Sequence, residues 1–211
     1  MTSKQPKIST IVNQFFKDVQ NELEGRYQSW NLCHEYFKKI FKENLNSNKE
    51  QAALMLGFYL ASWGMYRGSS FLLKYYTYTV HIKAVEILFE YKHFFTQQEI
   101  KYEELFNLYK KLKTHYEKLK KQVVNNTKVS VSQTLITKII MGVFGIIPAY
   151  DRNVKKALAK LGKSQTFNKT GYYQLLDFYR QYEKEINNLS SKEYPPMKIL
   201  DIYLWKWGKD L

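Results

Sequence analysis

Apolar residues recur at helical spacing along most of this chain, and the clearest example runs from Thr134 to Val143. Within it, helical spacing relates Leu135, Ile136, Ile139, Ile140 and Val143. Their spacing predicts a helix that is enclosed on nearly all sides. Gly145 and Pro148 follow directly, and proline cannot continue a helix because it lacks an amide proton. The chain is therefore expected to turn between Phe144 and Pro148.

A second, amphipathic helix is predicted directly after this turn. Asp151 stands at the N-cap position, where its carboxylate can accept hydrogen bonds from the amides of the next turn. Val154, Leu158 and Leu161 mark the buried face of this helix. The opposite, solvated face holds Lys155, Lys156, Lys160 and Lys163. A lone acid beside a row of lysines has two interpretations, a simple N-cap or a carboxylate that works on a polyanion.

Seven further stretches show the same helical periodicity. They cover residues 11–24, 29–44, 50–66, 71–95, 96–123, 172–189 and 198–207. Thr96 and Glu99 have the spacing of a capping box at the start of the fifth of these stretches. The run YYTYTVHI within 71–95 has strand propensity, but its helical neighbours favour a helix. The patterns together predict an all-α fold of about eight to ten helices.

The charge balance makes an anionic partner the leading expectation. The 211 residues include 33 Lys and Arg against 19 Asp and Glu, a formal net charge of +14. A positive field of this size concentrates anions, of which nucleic acid is the commonest in cells. The 18 tyrosines offer flat faces for bases, although most tyrosines fill a core. The alternative is a solvated, lysine-rich surface without a dedicated partner.

One cluster joins a strong cation to aromatic rings. Trp63, Tyr66 and Arg67 stand where the apolar helix 50–66 ends, just before Gly68. Arg67 could hold a phosphate with two parallel hydrogen bonds while Trp63 or Tyr66 stacks on a base. In the alternative interpretation, both rings are core residues and Arg67 pairs with an acid or with helix carbonyls.

Several classes of site and location are disfavoured. Cys33 is the only cysteine, which excludes a disulfide framework and a cysteine metal site. His34, His81 and His93 have no second ligand at a suitable spacing, so we predict no metal and no cofactor. The first residues lack the apolar core of a signal peptide, and no apolar run reaches eighteen residues. We therefore expect a cytoplasmic protein without a membrane partner; the sequence does not determine its oligomeric state.

The region around Asp151 resembles a known family over about residues 130–162. Its order is an apolar helix, Phe144 and Gly145, a short loop with Pro148, and then Asp151 with Asn153, Val154 and Lys155. This order is similar to the second half of the helix-hairpin-helix, Gly/Pro-rich-loop, aspartate (HhH-GPD) superfamily of DNA glycosylases. The family's aspartate stabilises an oxocarbenium-like sugar while the base departs. The resemblance thus implies DNA rather than RNA as partner and Asp151 as catalytic acid.

The resemblance also implies a set of DNA-contacting residues. Within the matched region these would be Ser130, Ser132, Arg152, Lys155 and Lys156 on the backbone and Tyr150 beside a flipped base. The cluster at the end of helix 50–66 adds Arg67 as a backbone contact and Trp63 and Tyr66 as stacking residues. The family's hairpin reads Leu-Pro-Gly-x-Gly, whereas this chain has Val129 to Ser132 at that place. The lysine that lyase-type members use would fall near Gln133 or Thr134, and neither of these side chains can form a Schiff base. An active enzyme would therefore be monofunctional, with water as its nucleophile.

The family's architecture would divide the chain into two helical lobes. Residues 46–162 would form a central lobe, and residues 1–45 with 163–211 a terminal lobe. Two other functions stay open at this point. The chain could be a non-enzymatic helical module that binds RNA, DNA or an acidic protein, or a tyrosine-rich protein that pairs with itself.

Overall fold

The structure is a computed structural model that describes residues 5–22, 24–43, 45–97, 99–124, 129–191 and 193–211. Within these residues the protein has eleven α-helices, three short 3-10 helices and no β-strand. The predicted all-α fold is confirmed. No helix in the described ranges combines the length and the apolar character needed to cross a membrane.

The helices follow one another as α1 to α11. Their bounds are α1 Ile8–Asn21, α2 Gln28–Ile40, α3 Lys49–Ser62, α4 Phe71–Tyr75, α5 Ile82–Glu90, α6 Tyr102–Val123, α7 Gln133–Phe144, α8 Arg152–Lys160, α9 Lys169–Gln181, α10 Glu183–Leu189 and α11 Pro196–Asp210. The 3-10 helices cover Leu45–Ser47, Tyr78–His81 and Lys92–Phe95.

The prediction of one long helix over 71–95 is wrong. The backbone leaves helical geometry after α4, where Tyr76 and Thr77 are extended, and returns through a 3-10 helix to α5. Aromatic and β-branched side chains lose rotamer freedom in a helix, and this run is rich in both. The predicted capping box also does not form, because the Thr96 hydroxyl donates backwards to the His93 carbonyl (3.1 Å). Helix α6 begins only at Tyr102.

The chain separates into two compact units. A central unit is continuous, Arg26–Phe144, and a terminal unit combines Met1–Gly25 with Gly145–Leu211. These boundaries differ from the predicted ones. Helix α2 packs on α3 and α7 and so belongs to the central unit, whereas α8 packs on α11 in the terminal unit.

The terminal unit is built around the contact between α8 and α11. Val154 and Leu158 of α8 are buried in it, and Gly208 of α11 lies directly against the carbonyl of Asn153. A methyl group at Gly208 would collide with that carbonyl, so only glycine allows this approach. Helix α1 packs on α10 and α11.

The central unit surrounds α3, which is apolar on nearly all sides. Helices α2, α5 and α7 pack around it, together with the 3-10 helix Tyr78–His81. Trp30 of α2 is buried and donates from Nε1 to the Met141 carbonyl of α7 (2.9 Å). Gly142 faces the Tyr59 ring so closely that a larger residue would collide with it.

Candidate nucleic-acid interface

Asp151 is the N-cap of α8, as the sequence predicts. Its Oδ1 accepts hydrogen bonds from the amides of Asn153 (3.0 Å) and Val154 (3.1 Å). These two bonds satisfy donors that the first turn of a helix otherwise leaves open. The negative charge also lies at the positive end of the helix dipole. Capping therefore explains the position of Asp151 without any catalytic role.

Helix α8 presents a continuous row of cations, here called the α8 surface. It consists of Arg152, Lys155, Lys156, Lys160 and Lys163, none of which is buried. Spacings of three and four residues place the first four on one face of α8, opposite the buried Val154 and Leu158. Lys163 lies just beyond the end of the helix, with its ammonium 5.5 Å from the Phe178 ring centre. No described carboxylate lies within 4.0 Å of any of these cations. The charge of this surface is thus left available to an external anion.

The sequence around the α8 surface is depleted of acids, a signal that periodicity alone does not reveal. From Gly145, where this part of the terminal unit begins, to Leu176 there are six lysines and arginines and a single acid, Asp151. That acid is turned onto the backbone of its own helix. Repulsion of an approaching polyanion by carboxylates is therefore small over this whole stretch.

A buried ion pair supports the loop that leads into α8. Asp201 of α11 accepts from the Ala149 amide at Oδ1 (2.9 Å), and Lys198 donates to its Oδ2 (2.9 Å). Their side chains are only 10% and 4% exposed. We did not predict this pair. Its signal was two opposite charges, spaced by three, on the buried face of the apolar helix α11.

The structure places Tyr150 in the core and not in a base-binding pocket. Its side chain is fully buried, with its ring 5.9 Å from that of Phe167. Burial raises the pKa of the Tyr150 hydroxyl, because the charged form would lose its hydration. No face of the ring is open to a base, so the predicted stacking role does not fit this conformation.

Ser130 and Ser132 are exposed in the central unit, before α7. The Ser132 hydroxyl accepts from the Leu135 amide (3.2 Å) and so caps the start of α7. Lys120 donates to the Ser130 carbonyl (2.8 Å). Neither serine has a positive φ, which a glycine-type hairpin would require. The two serines therefore hold the start of α7 rather than a tight hairpin turn.

Trp63 and Arg67 stand at the end of α3, as predicted. Trp63 is partly exposed and donates from Nε1 to the Ser29 hydroxyl (3.1 Å). Gly64 then reverses the chain with φ +76°, and the Arg67 side chain folds back over it. Arg67 is exposed and has no described carboxylate within 4.0 Å. The predicted alternative, in which Arg67 pairs with an acid, is not observed among the described residues.

Three residues distant in sequence complete this cluster, here called the Trp63 site. It consists of Arg26, Tyr27, Trp63, Arg67 and Lys138. The Arg26 guanidinium lies 5.2 Å from the Tyr27 ring centre and 5.9 Å from that of Trp63. The Lys138 ammonium lies 5.2 Å from the Trp63 ring centre. Helix periodicity could not identify these three partners, because α2, α3 and α7 meet only in the folded unit.

Tyr66 is directed inward, away from the role in base stacking that the sequence predicts. Its hydroxyl is 2.6 Å from His81 Nε2, and the Tyr116 hydroxyl is 2.6 Å from His81 Nδ1. Burial lowers the pKa of His81 to about 3, and the nearby His115 adds to this effect. Burial also raises the pKa of Tyr66 to about 12. The three side chains form a neutral hydrogen-bonded chain beside the end of α3.

The predicted site residues are divided between the two units. The terminal unit holds Asp151, Arg152, Lys155, Lys156 and Tyr150, and the central unit holds Trp63, Tyr66, Arg67, Ser130 and Ser132. Each unit thus has its own candidate surface, the α8 surface and the Trp63 site. Within the described residues, no group of three His, Cys, Asp or Glu side chains is placed to hold a metal ion.

Comparison with known proteins gives no match: no family model, no curated protein and no solved structure corresponds to this chain. The resemblance to the HhH-GPD glycosylases stays a prediction.

Proposed function

We propose that this protein binds nucleic acid, with the α8 surface contacting the phosphate backbone. The observation that carries this proposal is the row of four cations on one face of α8, with Lys163 just after the helix, all without a described acid partner. Phosphates along a strand are spaced regularly, and cations that neutralise them release condensed counterions. The net charge of +14 would speed the encounter.

The rigid support of α8 is a second argument. Its buried face is fixed on α11 by Val154, Leu158 and the close approach at Gly208, and Asp201 holds the loop before it. A surface on a rigid helix loses little conformational entropy beyond that of its own side chains when a ligand binds. This favours dedicated binding over a merely solvated face.

Salt dependence of binding tests the proposal. The logarithm of the association constant for a labelled oligonucleotide should fall linearly with the logarithm of salt concentration. Replacing Lys155 and Lys156 by Glu should reduce the magnitude of that slope by about 1–2, since two phosphate contacts are lost.

A matched control separates a local contact from the overall charge. The double variant Lys39→Glu/Lys42→Glu changes the net charge by the same amount at exposed positions of the central unit. Its slope should stay close to that of the unchanged protein. Equal slopes for the two double variants, or binding that hardly responds to salt, would exclude the α8 surface as the contact.

Base excision at Asp151 is a second candidate, favoured by the partly exposed position of this carboxylate at the start of the α8 surface. Such an enzyme would flip a damaged base and stabilise the cationic sugar with the carboxylate. Incubation with duplexes that carry a panel of damaged bases tests it. Abasic product from any lesion supports excision, and its absence from all of them leaves nucleic-acid binding without chemistry.

A further inference from the structure

Arginine is rare in this chain, and its distribution singles out the Trp63 site. Only four of the 33 cationic residues are arginine: Arg26, Arg67, Arg152 and Arg180. Arg180 pairs with Asp177 within α9 (3.4 Å), whereas Arg26 and Arg67 both belong to the Trp63 site. The guanidinium group is planar, stacks on rings and binds phosphate with two parallel bonds, which the lysine ammonium does not do.

The aromatic part of the site is held in place by hydrogen bonds. Trp63 donates to the Ser29 hydroxyl, and that hydroxyl donates to the Arg26 carbonyl (2.6 Å). The Tyr27 and Trp63 rings are 5.9 Å apart and tilted by 49°. Both rings are partly exposed, so they form an aromatic corner that is ordered before any ligand arrives.

The two arginines of the site have no described acid partner. Arg26 and Arg67 are exposed, and no described carboxylate lies within 4.0 Å of either guanidinium. Arg26 stacks against both rings, and Arg67 folds over Gly64, next to Trp63 in the chain. A ligand that suits this arrangement offers a flat aromatic face and an anionic group close to that face.

From this geometry we infer that the Trp63 site binds an unpaired nucleotide, and that the protein therefore selects single-stranded over double-stranded nucleic acid. This inference rests on the proposed function, because its ligand is a nucleic-acid strand. The base stacks on Tyr27 and Trp63 while Arg26 and Arg67 bind the adjacent phosphate. A duplex covers its base faces by stacking and pairing, so it can use only the backbone contacts.

The test measures affinities of the full chain for three ligands of one sequence: single-stranded DNA, single-stranded RNA and the DNA duplex. The variant Tyr27→Leu removes one ring and leaves the Trp63 hydrogen bond in place. It should weaken binding of the single strands roughly five- to hundredfold, the usual effect of losing one stacked base. Duplex binding should change less than about twofold, since backbone contacts are untouched.

Two further variants make the result specific. Arg67→Lys keeps the charge but loses the planar fork, so it should weaken single-strand binding and leave the salt slope nearly unchanged. Tyr75→Leu removes an exposed ring (52% exposed) elsewhere in the central unit and should have no comparable effect. Far-ultraviolet circular dichroism shows whether each variant is folded, and the exposed Arg67 provides a test even where Tyr27→Leu unfolds.

The outcomes distinguish the two claims. Equal affinity for single strands and duplex, with no loss in Tyr27→Leu, would overturn the inference while a salt slope at the α8 surface upholds the proposed function. No salt-dependent binding of any strand overturns both. A mononucleotide that binds as tightly as a strand would reject a strand as the ligand, and the DNA and RNA arms show which sugar the site accepts.

Discussion

The two units support their candidate surfaces with opposite kinds of buried polar groups. In the terminal unit, the loop before α8 is held by a charged pair, Lys198 and Asp201. In the central unit, the segment after α3 is held by the neutral chain of Tyr66, His81 and Tyr116. Both arrangements satisfy polar atoms that would otherwise be buried without partners.

The difference lies in what each network cannot tolerate. A buried ion pair fails when one partner is removed, because an uncompensated charge then stays in the interior. A network built on a neutral histidine between two tyrosines is destabilised when the histidine gains a proton, because the protein interior disfavours the new charge. The first network is therefore sensitive to substitution and the second to acid.

The largest effect on stability is expected from Asp201→Asn, which breaks the buried ion pair between Lys198 and Asp201 and leaves the His81 network unchanged. Asparagine can still accept from the Ala149 amide, but Lys198 loses its counterion, at a cost of about 3–5 kcal/mol. Chemical unfolding at neutral pH measures this. The double variant Asp201→Asn/Lys198→Met should recover most of the loss because no buried charge remains, and a double variant as unstable as the single one would contradict this account.

A smaller effect is expected from acid on the central unit. Above pH 6.5, the ordinary pKa of histidine, His81 is neutral in both states; below it, only the unfolded chain binds the proton until the pH nears 3. The stability that depends on neutral His81 is thus lost as the pH falls, at about 1.4 kcal/mol per pH unit. Between pH 6 and pH 4 this amounts to roughly 2–3 kcal/mol.

The variant His81→Gln isolates this contribution from that of the carboxylates. Glutamine can bond to both tyrosines but does not titrate, so its free energy of unfolding should fall less steeply with decreasing pH. The difference between the two slopes is the quantity to measure. Parallel slopes would show that His81 is not the acid-sensitive group.

The smallest effect is expected from Asp151→Asn. Asparagine is about as good an N-cap as aspartate, so stability should change by only a few tenths of a kcal/mol. Binding of nucleic acid should hold or tighten slightly, because a negative charge beside the α8 surface is removed. Thermal melting and a binding curve check this, and a melting point many degrees lower would show that Asp151 does more than cap.

Base release by the same pair of proteins adds a sharper readout. If the unchanged protein releases a damaged base and Asp151→Asn does so several orders of magnitude more slowly, Asp151 is catalytic. Equal melting and binding with no release from either protein leaves capping as its whole role.

The sequence predicted the local features of the α8 region well. The turn before Asp151, the N-cap, the buried Val154 and Leu158 and the solvated lysines all follow from spacing and from the chemistry of single residues. Such features depend on neighbours within one or two helical turns. The same reasoning located Trp63 and Arg67 at the end of α3.

What the sequence could not supply are contacts between distant segments. From the sequence alone, Tyr150 is an aromatic residue next to a candidate catalytic acid, yet tertiary packing buries it. The sequence likewise predicts Tyr66 as a stacking residue, yet its hydroxyl forms a hydrogen bond with a histidine fifteen positions later. Arg26 and Lys138 approach Trp63 only because three helices converge. Periodicity indicates which face of a helix is buried, but it does not indicate which other segment covers that face.

The discontinuous terminal unit has a consequence for how the protein is made on the ribosome. The residues that contact helix α1 are synthesised long after α1 itself. An ion pair joins Asp18 to Lys206, 188 positions later, and the Ser9 amide donates to Glu185 (2.8 Å). The continuous central unit can fold as soon as Phe144 has emerged. Until α11 follows, the apolar side of α1, with Val12, Phe15 and Val19, has no native surface to cover it and is a natural ligand for chaperones.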